Sequence, residues 1–178
     1  PMVIPLTLLS AVGLSKLLQS KILFFLFISA LGFFTIYYLD LYYVHTPHYA
    51  ASAWLYPYKR AIQLVNNNID SFDKVIFTNT LGQPYIFVLF YNQVDPRLYQ
   101  PWANISQSAT GDVGEVASWG KYVFKKVDWP AERGYTSTIF VGDQYELPEQ
   151  DLNPANLVRL GEIEYPNGLH GLRIVGLK

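Results

Sequence analysis

Four side chains near the middle of the chain, Thr78, Asn79, Gln83 and Tyr85, have the chemistry to bind a small ligand. Thr78 and Asn79 follow the apolar run VIF, where a buried strand is expected to end and a turn with Gly82 to begin. Ligands of α/β proteins often bind at such strand ends. Turn chemistry explains Thr and Asn here equally well, because their side chains hydrogen-bond the nearby backbone. The segment TNTLGQP also lacks the spacing of a phosphate-binding loop.

A second group of polar residues consists of residue types that commonly bind metal ions. His45 and His48 lie three residues apart, and on a helix they would share a face near Asp40. A third and a fourth ligand at a recognised spacing are missing. Pro47 also disfavours helix at Thr46. We therefore interpret these residues as polar groups at a membrane interface and predict no metal site.

A pair of carboxylates, Glu162 and Glu164, would project from one face of a strand, about 6.6 Å apart along the chain. Inverting glycosidases separate their two carboxylates by about 6.5–9.5 Å, but place them on opposite sides of the scissile bond. A solvated strand face is therefore the better interpretation. The chain has no cysteine, which excludes thiolate metal sites and cysteine nucleophiles. The sequence predicts no catalytic residue, no metal and no cofactor.

Charge is distributed unevenly along the 178 residues. Residues 1–44 contain three charged side chains, Lys16, Lys21 and Asp40, and residues 45–178 contain the other 24. Neither part has the clustered Lys and Arg that neutralise a phosphate backbone, so we do not expect nucleic acid as a partner.

The apolar part contains a candidate membrane span. From Ile22 to Leu39, 18 consecutive residues carry no charge, and a helix of that length spans about 27 Å, close to the thickness of a bilayer core. Tyrosines that suit the headgroup layer gather at its end: Tyr37, Tyr38, Tyr42 and Tyr43. A signal peptide would have a shorter apolar run and a nearer cleavage site. The pattern predicts a transmembrane helix over about residues 22–43.

The uncharged stretch PMVIPLTLLSAVGLS before it indicates the remainder of another membrane helix, over about residues 2–18, because the chain opens at Pro1 without an initiator methionine. Lys16 and Lys21 lie in the short loop between the two, which places that loop in the cytoplasm by the positive-inside rule. We therefore expect a multi-pass protein of the cell membrane, with the bilayer as a partner and residues 45–178 on the extracytoplasmic side.

Residues 45–178 have the pattern of a small α/β or α+β domain, a mixed sheet flanked by helices. The expected elements are a helix from Tyr58 to about Val65, a strand from Lys74 to Thr78, strands within GKYVFKKVDW and STIFVGDQYEL, and a hairpin turning at Asn167-Gly168. The segment PYIFVLFY fits a strand or a helix. Residues 92–120 show no sustained period and are expected to form a loop.

Three segments of the chain resemble a known family: YYVHTPHYAASAWLYPYKRAI, DKVIFTNTLGQPYIFVLFYNQVDPRLYQ and LVRLGEIEYPNGLHGLRIV. They are similar to the C-terminal end of bacterial multi-pass GT-C membrane glycosyltransferases, related to the dolichyl-phosphate-mannose–protein mannosyltransferases. In that family the last transmembrane helix runs into a segment of the kind W-x-Y-x-Y-K-x-A, matched here by Trp54, Tyr56, Tyr58, Lys59 and Ala61. A D-P-x-x-Y motif is matched by Asp95, Pro96 and Tyr99. The family also favours a helix for PYIFVLFY.

The resemblance implies a transferase that takes a sugar from a polyprenyl-phosphate donor and passes it to an acceptor outside the cytoplasm. In that family the catalytic acids lie in the first extracytoplasmic loop of a much longer protein, so the resemblance assigns no catalytic residue in this chain. The domain over residues 45–178 would assist in handling the acceptor or the donor. The alternative is a membrane-anchored, non-enzymatic domain that binds a ligand or acts as a sensor.

Overall fold

A computed structural model describes residues 3–17, 19–102, 105–107 and 114–178. The chain divides into two compact units, Pro1–Tyr49 and Ala50–Lys178. The first unit is helical, and the second contains all of the strands in the described part of the chain.

The first unit consists of α1 (Val3–Leu17) and α2 (Lys21–Asp40), followed by a π-helical turn (Leu41–His45) and α3 (Thr46–Tyr49). No side chain of α2 is buried, although the helix is apolar on every side. The helical stretch Lys21–Tyr49 has the length and hydropathy to cross a membrane, and within the described residues no other stretch does. Residues 2 and 18, at the ends of the first expected span, lie outside the described part.

The helix continues through Pro47, which corrects the expectation that Thr46 would leave it. Thr46 has helical dihedral angles, and its N–H donates to the Leu41 carbonyl. Its hydroxyl donates to the same carbonyl at 2.9 Å. This widened turn is the physical reason for the difference, because a π turn relieves the crowding that a proline imposes on the turn before it.

The second unit is built on a six-stranded mixed sheet. Its strands are β1 (Lys74–Phe77), β4 (Ser118–Trp119), β5 (Tyr122–Phe124), β6 (Thr138–Gly142), β7 (Leu157–Glu164) and β8 (His170–Leu177), in the order β4-β5-β1-β6-β8-β7. The central strands β5, β1 and β6 are parallel, and the outer pairings are antiparallel. A separate antiparallel ribbon is formed by β2 (Ile105–Gln107) and β3 (Gly114–Val116).

Four helices accompany the strands within the described residues of this unit: α4 (Tyr58–Asn66), α5 (Pro84–Tyr91), α6 (Pro96–Tyr99) and α7 (Trp129–Glu132). Single 3₁₀ turns lie at Ile69–Ser71, Gln100–Trp102 and Glu149–Asp151. The parallel strands are buried on both faces, which accounts for their continuous apolar sequence. One face packs against α4 and α5, and the other against α7 and its neighbouring loops.

The predicted mixed α/β fold, with a mixed sheet flanked by helices, is confirmed, and an apolar helix lies in the N-terminal unit. The hairpin is also confirmed, with Gly168 at a φ of 80° in its turn. The segment PYIFVLFY is the helix α5, with Pro84 in its first turn, where a missing N–H costs no hydrogen bond.

The expectation of a loop over residues 92–120 is wrong for much of that stretch. It contains α6, a 3₁₀ turn, β2, β3 and β4, while residues 103, 104 and 108–113 lie outside the described part. The strands here are two or three residues long, too short to produce a period that a sequence pattern can reveal. Likewise, GKYVFKKVDW is a strand only as far as Phe124, and α7 begins at Trp129.

Candidate functional site

The three parallel strands β5, β1 and β6 end at the same edge of the sheet, and the loops that follow them form an open cleft of about 610 Å³. We call it the carboxyl-edge cleft. Its lining consists of Thr80, Lys126, Val127, Asp128, Trp129, Pro130, Asp143, Tyr145 and Glu146. The carboxyl edge of parallel strands is where open α/β sheets bind their ligands, so this cleft is the candidate site.

Glu146 holds the three strand ends together. Its Oε1 accepts hydrogen bonds from the Thr78 hydroxyl at 2.9 Å and from the Val127 N–H at 3.0 Å. Its Oε2 accepts from the Asp143 N–H at 3.2 Å. The three donors follow β1, β5 and β6, and the Glu146 side chain is buried. Glu146 therefore fixes the shape of the cleft.

Burial raises the pKa of Glu146 above its ordinary value, and the nearby Asp143 carboxylate contributes in the same direction. The hydrogen bonds from Thr78, Asp143 and Val127 oppose this shift in the pKa by stabilising the charged form. Buried carboxyl groups with a raised pKa occur in functional sites and in structural networks. With three hydrogen bonds to the protein, Glu146 serves as a positioning residue.

The groups that a ligand can touch include Lys126, Asp128 and Tyr145, which are exposed, and Asp143, which is half-buried. The Tyr145 side chain is 83% exposed. One oxygen of Asp143, Oδ1, accepts hydrogen bonds from the N–H groups of Tyr145 and Glu146, each at 2.8 Å. This turn holds the backbone of Tyr145 and Glu146 on the Asp143 carboxylate.

The loop from β5 into α7 is also held in place. Lys125 forms an ion pair with the buried Glu132, whose Oε2 accepts a hydrogen bond from the Asp128 N–H at 3.0 Å. The Trp129 indole N–H donates to the Asp151 carbonyl at 3.0 Å. The contacts of Lys125, Trp129 and Glu132 therefore fix the position of Asp128 in the cleft.

The charge of the carboxyl-edge cleft is negative. Asp128, Asp143 and Glu146 supply three carboxyl groups, and Lys126 supplies the one cation among the lining residues. A phosphate would be repelled by this balance. Carboxylates and the Thr80 hydroxyl accept hydrogen bonds, and an exposed aromatic ring offers an apolar surface. The arrangement suits a neutral ligand with several hydroxyl groups.

The structure separates the four residues that the sequence singles out. Thr78 is fully buried and bonds Glu146 and Thr80 at the cleft. Asn79, Gln83 and Tyr85 line a smaller cavity of about 110 Å³, beside β3 and β5. The Gln83 amide and the Tyr85 hydroxyl both donate to the Gly114 carbonyl, at 3.1 and 3.3 Å. These last two side chains thus join α5 to β3.

The cleft contains residues that sequence reasoning missed, namely Lys126, Asp128, Asp143 and Glu146. A signal for them was present, because GDQYEL follows an expected strand just as TNT follows VIF. That signal becomes useful only when the order of the strands is known, since Asp143 and Thr78 are 65 positions apart along the chain.

The other polar groups considered from the sequence form small pairs. His45 Nε2 lies 3.2 Å from Asp40 Oδ2, and within the described part of the chain no three His, Cys, Asp or Glu residues group as metal ligands. Glu162 is paired with Arg173 at 2.8 Å and with His170 at 3.1 Å. Glu162 is therefore part of an ion-pair network on the hairpin.

No protein-family model, curated protein or solved structure matches this chain.

Proposed function

We propose that this chain is the C-terminal part of an integral membrane glycosyltransferase that uses a polyprenyl-phosphate-linked sugar. The observation that supports this proposal is the apolar helical stretch Lys21–Tyr49. No side chain of α2 within it is buried, and an α/β unit follows it directly along the chain. Apolar surface on every side of a helix requires a cover, and lipid provides one. In this proposal the protein crosses the cell membrane more than once, with the α/β unit on the extracytoplasmic side.

The junction between the two units supports this proposal. In the segment that resembles W-x-Y-x-Y-K-x-A, Trp54 and Tyr56 are exposed, whereas Tyr58 and Ala61 are buried in the core of the α/β unit. Exposed Trp and Tyr beside a membrane span favour the headgroup layer. The segment thus combines interfacial aromatic residues with the start of a packed helix.

The α/β unit would handle the acceptor. The carboxyl-edge cleft carries more carboxylates than cations, which disfavours the anionic polyprenyl phosphate and suits an uncharged acceptor with hydroxyl groups. Asp128 and Asp143 would accept hydrogen bonds from those hydroxyl groups, and Tyr145 would pack against the apolar face of a sugar ring.

Sugar transfer is the direct test. Membranes from cells expressing the full-length protein that contains this chain are supplied with polyprenyl-phosphate-linked radiolabelled sugars, and label is followed into acceptors. We expect transfer above that of empty-vector membranes. In the double variant Asp128→Asn/Tyr145→Ala, the KM for the acceptor should rise while the KM for the donor stays unchanged. Absence of transfer with every donor, from membranes that contain the protein, would contradict the proposal.

Topology can be tested separately, because the chain has no cysteine. Single variants Tyr145→Cys and Gln19→Cys place a thiol in the cleft and in the loop before α2. A maleimide that does not cross membranes should label Tyr145→Cys in intact cells, and Gln19→Cys only after permeabilisation. Labelling in the reverse order would place the α/β unit in the cytoplasm.

The second candidate function is a membrane-anchored domain that binds a ligand or acts as a sensor. The small cavity lined by Asn79, Gln83 and Tyr85 favours it, because polar groups converging on a cavity are typical of ligand sites. Calorimetric titration of the membrane-reconstituted chain with soluble sugars distinguishes the two functions. Binding without any transfer favours the sensor, and binding that accompanies transfer favours the enzyme.

A further inference from the structure

Helix α5 presents an apolar face outward. The chain carries no charge from Val75 to Val94, and α5 lies within this stretch. On its inner side Val88 is buried and the Phe87 ring stacks on Tyr58, with 4.7 Å between ring centroids. On its outer side Ile86 is 45% exposed and Phe90 is 71% exposed. A surface helix normally carries polar residues on that side.

Helix α6, which contacts α5, also exposes an apolar side chain. Leu98 of the neighbouring α6 is 66% exposed, and α6 is joined to α5 by stacking of the Tyr99 ring on Tyr85, with 6.4 Å between centroids. We call Ile86, Phe90 and Leu98 the α5 face. Exposed apolar patches rimmed by polar residues mark sites that contact proteins or membranes.

Exposed basic residues lie on the two helices that contact α5. Lys59 and Arg60 are exposed on α4, which packs beside α5 and is joined to it by a hydrogen bond of 2.7 Å between the side chains of Asn66 and Asn92. Arg97 is exposed on α6. The helices α4, α5 and α6 contain no acidic residue.

Glu115 lines a cavity with Pro84 and Tyr85 at the start of α5, and a further carboxylate near these helices is that of Asp95, the residue that precedes α6. It accepts a hydrogen bond from the Arg97 N–H at 2.8 Å, capping the helix. Within the described part of the chain, the side chains of Lys59, Arg60 and Arg97 have no carboxylate partner. These three side chains give α4 and α6 a positive charge, and we call them the basic border.

We propose that the α5 face docks on the surface of an anionic phospholipid bilayer. Ile86, Phe90 and Leu98 enter the boundary between headgroups and acyl chains, and the basic border binds anionic headgroups. Apolar residues flanked by Lys and Arg are the composition of helices that lie in a membrane surface. This inference rests on the proposed membrane location of the protein.

Attachment to a membrane span strengthens such docking. A patch of three apolar side chains binds a bilayer weakly from solution, but a domain attached to a span meets the bilayer at a high effective concentration. Each basic residue near an anionic surface strengthens the binding further. The α5 face would then orient the α/β unit on the membrane.

The test uses the whole chain in vesicles of phosphatidylcholine and phosphatidylglycerol. Phe90→Cys is labelled with the environment-sensitive dye NBD, and Gln63→Cys on the exposed side of α4 is the matched control. Phe33→Cys in α2 reports insertion of the span. We expect NBD at position 90 to emit at shorter wavelength and to lose most of its fluorescence to spin-labelled lipids, while NBD at position 63 loses little.

A second arm tests the basic border. The triple variant Lys59→Gln/Arg60→Gln/Arg97→Gln, or vesicles without phosphatidylglycerol, should reduce the quenching at position 90 and leave the quenching at position 33 unchanged. Equal quenching in both lipid mixtures would overturn the role of anionic headgroups.

The remaining outcomes separate the two proposals. Quenching at position 33 without quenching at position 90 overturns docking and leaves the membrane location standing. Loss of quenching at both positions overturns the membrane location, and docking with it. A shift of NBD emission at position 90 without quenching by lipids means that protein covers the face, which overturns docking in favour of a second copy of the chain.

Discussion

Helices α4 and α5 lie side by side on one face of the same sheet, yet their outer sides are opposite in character. Both bury apolar residues in a common core. The outer side of α4 carries Lys59, Arg60 and Gln63, whereas that of α5 carries Ile86 and Phe90. Packing on the sheet therefore explains only the inner, buried side of α5. The exposed apolar residues on its outer side are consistent with a contact between this side and another surface.

The largest expected effect comes from the buried side of α4. Ile62→Ala leaves a cavity in the core, where Ile62 is fully buried, and should lower the free energy of unfolding by about 2–5 kcal/mol. Denaturant titration of the chain in detergent, followed by tryptophan fluorescence, measures this loss. A loss as small as that expected for an exposed position would mean that α4 is not packed as described.

Glu146→Gln should have the next largest effect, and should act on α5 more than on α4. Thr78 begins the loop that leads into α5, while α4 precedes β1. The substitution replaces one carboxylate oxygen by an NH₂ group, so that either the Asp143 N–H or the Thr78 hydroxyl and the Val127 N–H lose their acceptor, at a cost of about 1–3 kcal/mol. The rate of amide hydrogen exchange should therefore increase more in α5 than in α4.

The same variant carries a pH dependence with a definite sign. The folded state raises the pKa of Glu146 above its ordinary value of 4.5, so its protonated form is favoured on folding. Its contribution to stability is complete below that ordinary value and is lost as pH rises through the folded pKa. The stability difference between wild type and Glu146→Gln should grow as pH falls from neutral towards 4.5. A difference independent of pH contradicts the raised pKa.

Tyr58→Phe tests an unsatisfied hydroxyl group on the buried side of α4. The Tyr58 hydroxyl is buried and lacks a hydrogen-bond partner in the described part of the chain, and burial raises its pKa. Removing it keeps the ring stacked on Phe77 and Phe87. The free energy of unfolding should stay the same or rise by about 1 kcal/mol. A loss of stability in thermal denaturation would reveal a partner for the hydroxyl.

The smallest effect is expected on the outer side of α5. Ile86→Ala removes a side chain that is largely exposed, so the free energy of unfolding should change by less than about 0.5 kcal/mol. The pair Ile62→Ala and Ile86→Ala compares the same substitution on the two helices. In detergent, a loss at position 86 as large as that at position 62 would show that α5 is covered by protein.

Local pattern predicted the elements that carry their own signals. The apolar spacing of Tyr58, Ala61, Ile62 and Val65 predicts α4, and the run VIF predicts β1. The turn at Asn167-Gly168 predicts the hairpin, because a glycine adopts positive φ without strain. In each case neighbouring residues contain the whole signal, so no knowledge of distant contacts is required.

Strand order determined the rest. PYIFVLFY is apolar on all sides, so its helix is not distinguishable from a strand by periodicity. The cleft joins residues that follow β1, β5 and β6, and the choice of these neighbours is made by pairing between distant segments. Thr78 faces Glu146 while Asn79 faces the smaller cavity, because successive side chains leave an extended backbone in opposite directions. Composition thus indicated an apolar helix and an α/β unit, and packing established which side chains meet.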